Sequence, residues 1–164
     1  MRVFVYGTLK RGQPAHERLC RGCLDVEPAT IRGRLYLSQA GFPTLVVPQQ
    51  SVLAFGTAIH AVDLQHEQSS QLTLPNETES SAAGCDWQNI EGELLSFEPD
   101  PRRLRIFDKY EEFRPGGSSL YLRVLVPVSS AGAIVPAWTY VSPTSSSEAF
   151  AKHLGTCWNS AGTP

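Results

Sequence analysis

Apolar residues begin the chain and return in long runs towards its end, and these runs predict β-strands. Residues 2–6 are apolar or aromatic apart from Arg2, which is the pattern of a strand covered on both faces. Two further strands are predicted at 121–128 and 134–141, joined by a short turn rich in Ser and Gly. The chain is therefore expected to be built around a sheet.

Three other apolar segments, 31–37, 54–60 and 90–97, each contain an internal glycine. Glycine within a strand often marks a bulge or a sharp bend. Three such segments favour a strongly curved sheet over a flat one. Their spacing is irregular, so they are not interpreted as structural repeats.

Two short helices are predicted from their end residues. Pro14 suits the first turn of a helix that runs towards Cys20. Asp100 is a favourable N-cap and Pro101 a favourable first residue for a second helix, which extends to about Glu111. The strands and these short helices together indicate an α+β protein.

The second helix carries a carboxylate on its apolar face. At 100° per residue, Glu111 projects between Leu104 and Phe107, towards the core, whereas Glu112 is turned towards solvent. Burial and the negative end of the helix dipole both disfavour an ionised carboxylate. We therefore expect the pKa of Glu111 to rise from about 4.3 towards about 6–7, the range of a proton shuttle near neutral pH.

A structural role for Glu111 is the alternative. A carboxylate near a helix end also caps backbone donors or forms ion pairs, and Arg114 and Arg123 are the nearby candidates in the sequence. Glu112 is a second candidate for the working carboxylate. These alternatives stay open at the level of the sequence.

A turn at residues 6–9 follows the first strand. The sequence Tyr6-Gly7-Thr8-Leu9 bends at a glycine, and such a turn presents several backbone N–H groups in one direction as an anion cradle. Gly7 and Gly12 have the spacing of a phosphate-binding loop, but Gln13-Pro14 stands where Lys-Ser/Thr is required. A carboxylate is therefore a better candidate ligand than a nucleotide.

Composition restricts the class of protein. The 164 residues suit one domain (1–164), with a polar segment at 63–89 interpreted as a surface insertion and a variable tail from residue 142 that includes one short helix. With 41% hydrophobic and 18% charged residues and a net charge of -2, the chain has no basic stripe that would favour nucleic acid or a membrane surface. We expect a cytoplasmic protein with a small-molecule partner, because neither a transmembrane nor a secretory segment is visible.

The cysteines and histidines give weak signals for a metal site. Cys20 and Cys23 form a CxxC with His16 nearby, but no fourth ligand stands at a useful spacing. No thioredoxin-like βαβ pattern supports a redox role. We therefore predict no metal and no cofactor, and free thiols.

Six segments in order resemble the gamma-glutamylcyclotransferase-like family. They are residues 3–14 (VFVYGTLKRGQP), 33–36 with 41–45 (GRLY and GFPTL), 90–94 (IEGEL), 107–111 (FDKYE), 121–124 (YLRV) and 137–140 (AWTY). Each segment alone is a weak signal, whereas six in order are specific. Two departures are Glu112, where the family usually has glycine, and Phe107, where it usually has leucine.

The resemblance implies a small, strongly curved mixed β-barrel with a few short helices, and cofactor-independent release of 5-oxoproline from a gamma-glutamyl amine or amino acid. By position, Glu111 would be the catalytic proton shuttle. The substrate would be bound by the turn and by the pocket wall, that is, by Tyr6, Gly7, Thr8, Leu9 and Tyr121. A catalytically silent binding module and an enzyme that removes a gamma-glutamyl protecting group in biosynthesis are the alternatives, and the sequence specifies neither the leaving amine nor the oligomeric state.

Overall fold

The computed structural model describes residues 1–70, 87–143 and 150–158. Along the chain the elements are β1 (Arg2–Val5), α1 (Pro14–Leu19), β2 (Asp25–Ser38), β3 (Pro43–Val46), a 3-10 turn (Gln49–Ser51), β4 (Ala54–Phe55), α2 (His60–Ser69), β5 (Gln88–Ser96), α3 (Pro101–Tyr110), β6 (Leu122–Ser130), β7 (Ala133–Val141) and β8 (Phe150–Gly155). No helix in these ranges is long and apolar enough to cross a membrane.

Five strands form a closed barrel in the order β2, β5, β1, β7 and β6, and pairing between β2 and β6 closes it. The β1–β7 pair is parallel and the other pairs in the barrel are antiparallel, so the barrel is mixed. Strands β3 and β8 pair with β2, and β4 pairs with β6 outside the ring. The predicted α+β fold with a small, curved mixed barrel and few short helices is confirmed.

Strand β2 leaves the barrel at a glycine. Its residues up to Gly33 pair with β5, whereas those from Arg34 onward pair with β3. A Cβ atom on Gly33 would lie 2.8 Å from the carbonyl oxygen of Val46, so only glycine allows the two strands to approach this closely. The bend predicted for this segment is therefore the point at which β2 stops pairing with β5 of the barrel and begins to pair with β3.

The core consists of the barrel interior and a second apolar layer between the barrel and α3. Phe4, Leu35 and Val126 belong to the first, and Phe107 and Phe113 to the second. Trp138 is fully buried together with Leu104 of α3. Helix α3 is thus held against the barrel by its apolar face, as its sequence pattern predicts.

A buried ion-pair network joins the helices to the barrel. Arg123 of β6 is fully buried and forms ion pairs with Asp63 of α2 and Asp108 of α3. Asp108 also accepts hydrogen bonds from the Tyr140 hydroxyl at 2.8 Å and lies 2.7 Å from Nε2 of His60. Because several partners share the buried charges, the cost of removing those charges from water is offset. The network fixes α3 relative to β7.

Two sequence-based interpretations outside the barrel require correction. The expected insertion at 63–89 begins inside α2, where Asp63 and Leu64 are buried, and ends inside β5; residues 71–86 lie outside the described residues. The second is the short helix predicted in the tail, near 148–154, of which residues 148–149 lie outside the described residues. Instead Phe150–Gly155 is a strand that pairs with β2, because an available sheet edge satisfies its backbone groups.

Candidate active site

A cavity of about 220 Å³ opens at one end of the barrel. All six residues that the sequence assigns to a site line it: Tyr6, Gly7, Thr8, Leu9, Glu111 and Tyr121. They come from the loop after β1, the end of α3 and the start of β6. The fold therefore brings together residues that are more than 100 positions apart in the sequence.

Glu111 is positioned by the way α3 ends. It is the C-cap residue, and its N–H donates to the Phe107 carbonyl at 2.9 Å. The Phe113 N–H donates to the Asp108 carbonyl at 2.9 Å, and Glu112 between them has a left-handed backbone with φ of 51°. These are the features of a Schellman motif, in which glycine is the usual left-handed residue. Glu112 therefore occupies a left-handed position that glycine adopts with less strain.

The Glu111 carboxylate faces the cavity in a poorly solvated environment. Burial raises its pKa from 4.5 to about 7. Within the described part of the chain, its carboxylate oxygens have no hydrogen-bond or ion-pair partner. Of the described residues that line the cavity, none is Lys, Arg or His. A carboxylate in such surroundings exchanges a proton near neutral pH.

The ion-pair alternative for Glu111 is not realised. Arg123 pairs with Asp63 and Asp108 instead. Arg114 lies 3.9 Å from the neighbouring Glu112, and both of these side chains are largely exposed. Exposed pairs of this kind contribute about 0–1 kcal/mol. Neither arginine therefore pairs with Glu111, which has no ion-pair partner among residues 1–70, 87–143 and 150–158.

The turn at residues 6–9 forms the wall that faces Glu111. It closes with a hydrogen bond of 3.0 Å from the Lys10 N–H to the Gly7 carbonyl, while the backbone N–H groups of Thr8 and Leu9 donate to no acceptor in the described ranges. A Cβ on Gly7 would lie 2.7 Å from Cγ of Pro43, which explains the glycine. Two adjacent N–H groups at a glycine turn, with no acceptor in the described chain, are suited to binding a carboxylate.

Tyr6 anchors this turn to the barrel. Its hydroxyl donates to the Tyr140 carbonyl at 2.8 Å and accepts from the Leu45 N–H at 3.3 Å. Burial raises the pKa of Tyr6 well above its ordinary value, so the side chain stays neutral. These two hydrogen bonds indicate that the Tyr6 hydroxyl fixes the position of the turn at residues 6–9.

Eight further described residues line the cavity, and the sequence analysis gave none of them a binding role. Tyr110 and Tyr140 belong to segments quoted for the resemblance, but no role was inferred for either. The Thr8 Oγ1 and Tyr110 hydroxyl oxygens are 2.9 Å apart. Of the other six, three form the more exposed side, Phe42, Glu112 and Leu120, and three are buried, Phe4, Val5 and Pro43. A signal for Tyr110 was available, because it directly precedes Glu111.

The other candidate chemistries gain no support from the geometry. In the described ranges no three His, Cys, Asp or Glu side chains are grouped so as to hold a metal ion. Cys20, Cys23 and Cys157 are free thiols, and Cys85 lies outside the described residues. Burial raises the pKa of Cys20 to about 12, so the thiolate needed for redox exchange is disfavoured.

Comparisons with known proteins agree with this architecture. The sequence matches the family model described as gamma-glutamyl cyclotransferase, AIG2-like, over residues 3–72 and 80–160. No curated protein matches it. An AIG2-like protein from Mus musculus has a similar structure, with a TM-score of 0.56, 23% identity and coverage of 98% of this chain and 89% of that one. YkqA from Bacillus subtilis is also similar, with a TM-score of 0.53 and 19% identity over 96% of this chain but 39% of YkqA.

The two solved structures support the fold, and the family model supports a cyclotransferase-type function with a small-molecule substrate. The matched ranges include the turn at residues 6–9 and the segment that carries Glu111. The family match spans most of the chain. The chain belongs to the gamma-glutamyl cyclotransferase, AIG2-like family.

Proposed function

We propose that this protein converts a gamma-glutamyl amine or gamma-glutamyl amino acid to 5-oxoproline and the free amine, with Glu111 as the only proton shuttle. One observation carries the proposal. The Glu111 carboxylate, whose pKa burial raises to about 7, shares a small cavity with two backbone N–H groups that have no acceptor among the described residues. The first can exchange the protons of this reaction at neutral pH, and the second can hold the substrate's α-carboxylate.

In the proposed mechanism the substrate's α-ammonium group first gives a proton to ionised Glu111. The free amine then attacks the γ-carbonyl carbon of the same molecule and closes a five-membered lactam. Glu111 returns the proton to the departing amine nitrogen as the C–N bond breaks. Re-ionised Glu111 then takes the second proton from the ring nitrogen, which gives the neutral lactam, and passes it to the released amine, which leaves as an ammonium ion. No redox change occurs, and two protons move from the α-nitrogen to the leaving nitrogen in one turnover.

The enzyme's main contribution would be to hold the substrate in a folded conformation. Intramolecular reactions with well-oriented groups reach effective molarities on the order of 10⁵ M or more. Binding of the α-carboxylate at Thr8 and Leu9 would place the adjacent α-amine towards Glu111, because both line the same cavity. The leaving amine would then extend towards the exposed side formed by Phe42 and Leu120.

The experiment is a measurement of 5-oxoproline release from gamma-glutamyl amino acids, gamma-glutamyl-lysine isopeptides, gamma-glutamylamines and glutathione. The wild-type protein should turn over at least one of them, and Glu111→Gln should lose activity while still folding. Glu112→Gln is the matched control, because it alters the adjacent carboxylate on the exposed side, and it should retain activity.

Three results would overturn the proposal. Retained turnover by Glu111→Gln would exclude the shuttle, and loss of turnover in Glu112→Gln alone would move the role to Glu112. Saturable binding of these compounds with no 5-oxoproline released by the wild-type protein would instead identify a silent binding module.

A further inference from the structure

The hydroxyl protons of the cavity can be accounted for one by one. Five hydroxyl-bearing side chains line it: Tyr6, Thr8, Tyr110, Tyr121 and Tyr140. The Tyr6 hydroxyl donates to the Tyr140 carbonyl at 2.8 Å. The Tyr140 hydroxyl in turn donates to Oδ1 of Asp108 at 2.8 Å. Both of these protons are therefore used in hydrogen bonds within the protein and are not available to a substrate.

The Tyr121 proton is also committed. Its hydroxyl donates to the Pro43 carbonyl at 3.2 Å, and its oxygen lies 3.2 Å from Oγ1 of Thr44, which can donate to it. Both partners belong to β3, so these bonds join the start of β6 to that strand. Three of the five hydroxyl groups thus have fixed acceptors within the protein.

Thr8 and Tyr110 differ from the other three. Their oxygens are 2.9 Å apart and each is bonded only to the other among the described residues. A hydroxyl group carries one proton, so the pair holds two protons and uses one in the bond between them. Whichever group donates, one O–H at the cavity wall has no acceptor in the part of the chain that the structure describes.

The reaction proposed above creates a need for such a donor. Attack on the γ-carbonyl carbon places negative charge on its oxygen, and enzymes stabilise this charge with preorganised donors. The described lining residues include no Lys, Arg or His that could serve instead. Thr8 belongs to the substrate-binding turn and Tyr110 directly precedes Glu111, so the pair lies between the two halves of the site.

We propose that the Thr8–Tyr110 hydroxyl pair is the oxyanion donor of this enzyme, with its spare O–H bound to the substrate's γ-carbonyl oxygen. The inference rests on the proposed cyclotransferase function. As the amine nitrogen bonds to carbon, the π electrons move to oxygen and the hydroxyl donates a hydrogen bond without transferring its proton. When the C–N bond to the leaving amine breaks, the carbonyl re-forms.

The pair makes an unusual prediction for a double-mutant cycle. In Thr8→Val the Tyr110 O–H is released, and in Tyr110→Phe the Thr8 O–H is released, so each single variant keeps one donor. Each should lose at most about tenfold in kcat, as for one neutral hydrogen bond. The double variant keeps none and should lose about 10²–10³-fold in kcat with a similar KM, as when an oxyanion donor is removed.

A purely structural hydrogen bond predicts the opposite coupling. Each single variant would already break the bond, so kcat of the double variant would be no lower than that of the less active single variant. That result, or a KM increase at unchanged kcat, would overturn the proposal. Thr8→Ser combined with Tyr110→Phe keeps one hydroxyl group, so its kcat should match that of the single Tyr110→Phe variant. A kcat as low as that of the Thr8→Val/Tyr110→Phe double variant would also contradict the proposal.

Controls separate this inference from the function on which it rests. Tyr36→Phe removes a tyrosine hydroxyl outside the cavity and should leave kcat unchanged. Circular dichroism melting curves check that every variant is folded. If the wild-type protein releases no 5-oxoproline, the proposed function fails. If it is active and the double variant loses no more than the single variants do, only the hydroxyl-pair proposal fails.

Discussion

The proposed catalytic use of Glu111 comes with a cost to stability. Burial raises its pKa from 4.5 to about 7, so the folded protein holds this proton at pH values where the unfolded chain has released it. The stabilisation from the neutral form is complete below about pH 4.5 and is lost as pH rises through about 7. Above pH 7 the ionised carboxylate lies in poorly solvated surroundings.

Glu111→Gln removes this ionisation, and the variant should be more stable than the wild type at pH 8. We expect its advantage in the free energy of unfolding to grow by about 3 kcal/mol between pH 4 and pH 8, because each pKa unit corresponds to about 1.4 kcal/mol. Urea denaturation across this pH range measures the difference. A constant difference between the two proteins would mean that Glu111 is solvated as in the unfolded chain.

Among the strands, the contact between β1 and β5 depends on the absence of a side chain at position 92. A Cβ on Gly92 would lie 2.4 Å from the Val5 carbonyl oxygen and 2.6 Å from Cζ of Phe4. We predict that Gly92→Ala destabilises the protein by about 1–3 kcal/mol or more, because backbone atoms cannot move aside cheaply.

Gly117→Ala is the matched control for Gly92→Ala. Its nearest neighbour would be the Arg114 carbonyl oxygen at 3.6 Å, an ordinary contact, so its thermal unfolding midpoint should stay near that of the wild type. Equal midpoints for both alanine variants would show that the barrel tolerates a side chain at position 92.

The elements differ in how far local sequence determines them. Helix α3 is predictable because Asp100, whose side chain accepts from the Arg102 N–H, and Pro101 specify its start within three residues. Helix α2 is not predictable from its sequence, since most of its residues are polar and the charged partner of its buried Asp63 lies on β6. Strand β8 depends on pairing with β2, more than 100 residues earlier, and short-range patterns carry no information about that contact.

The barrel and its two long helices are coupled through one buried cation. Arg123 is fully buried and forms ion pairs with Asp63 of α2 and Asp108 of α3. We predict that Arg123→Met destabilises the protein by about 3–5 kcal/mol, because two buried carboxylates lose their charged partner.

Chemical denaturation of Arg123→Met beside Arg114→Met tests this coupling. Arg114 is largely exposed and 3.9 Å from Glu112, so its replacement should cost less than about 1 kcal/mol. If both variants lose the same small amount, the buried network does not hold the helices to the barrel.

The candidate site was predictable in part because its principal residues stand in short, recognisable segments. The turn at residues 6–9 is signalled by a strand that ends at glycine, and Glu111 by its place on an apolar helical face. Tyr140 was missed because its hydroxyl reaches Asp108 only through the closure of the barrel, which places β7 beside α3. The pairing of Thr8 with Tyr110 is likewise a product of tertiary structure, across 102 positions in the sequence.

The most direct test of the mechanism is the pH dependence of kcat/KM for 5-oxoproline release by the wild-type protein. Ionised Glu111 must accept the first proton, so the rate should fall at acid pH with a midpoint at about 7, the pKa of this carboxyl group in the folded protein. A midpoint near 4.3, the value of a solvated glutamate, or a rate independent of pH between 5 and 8, would contradict the account.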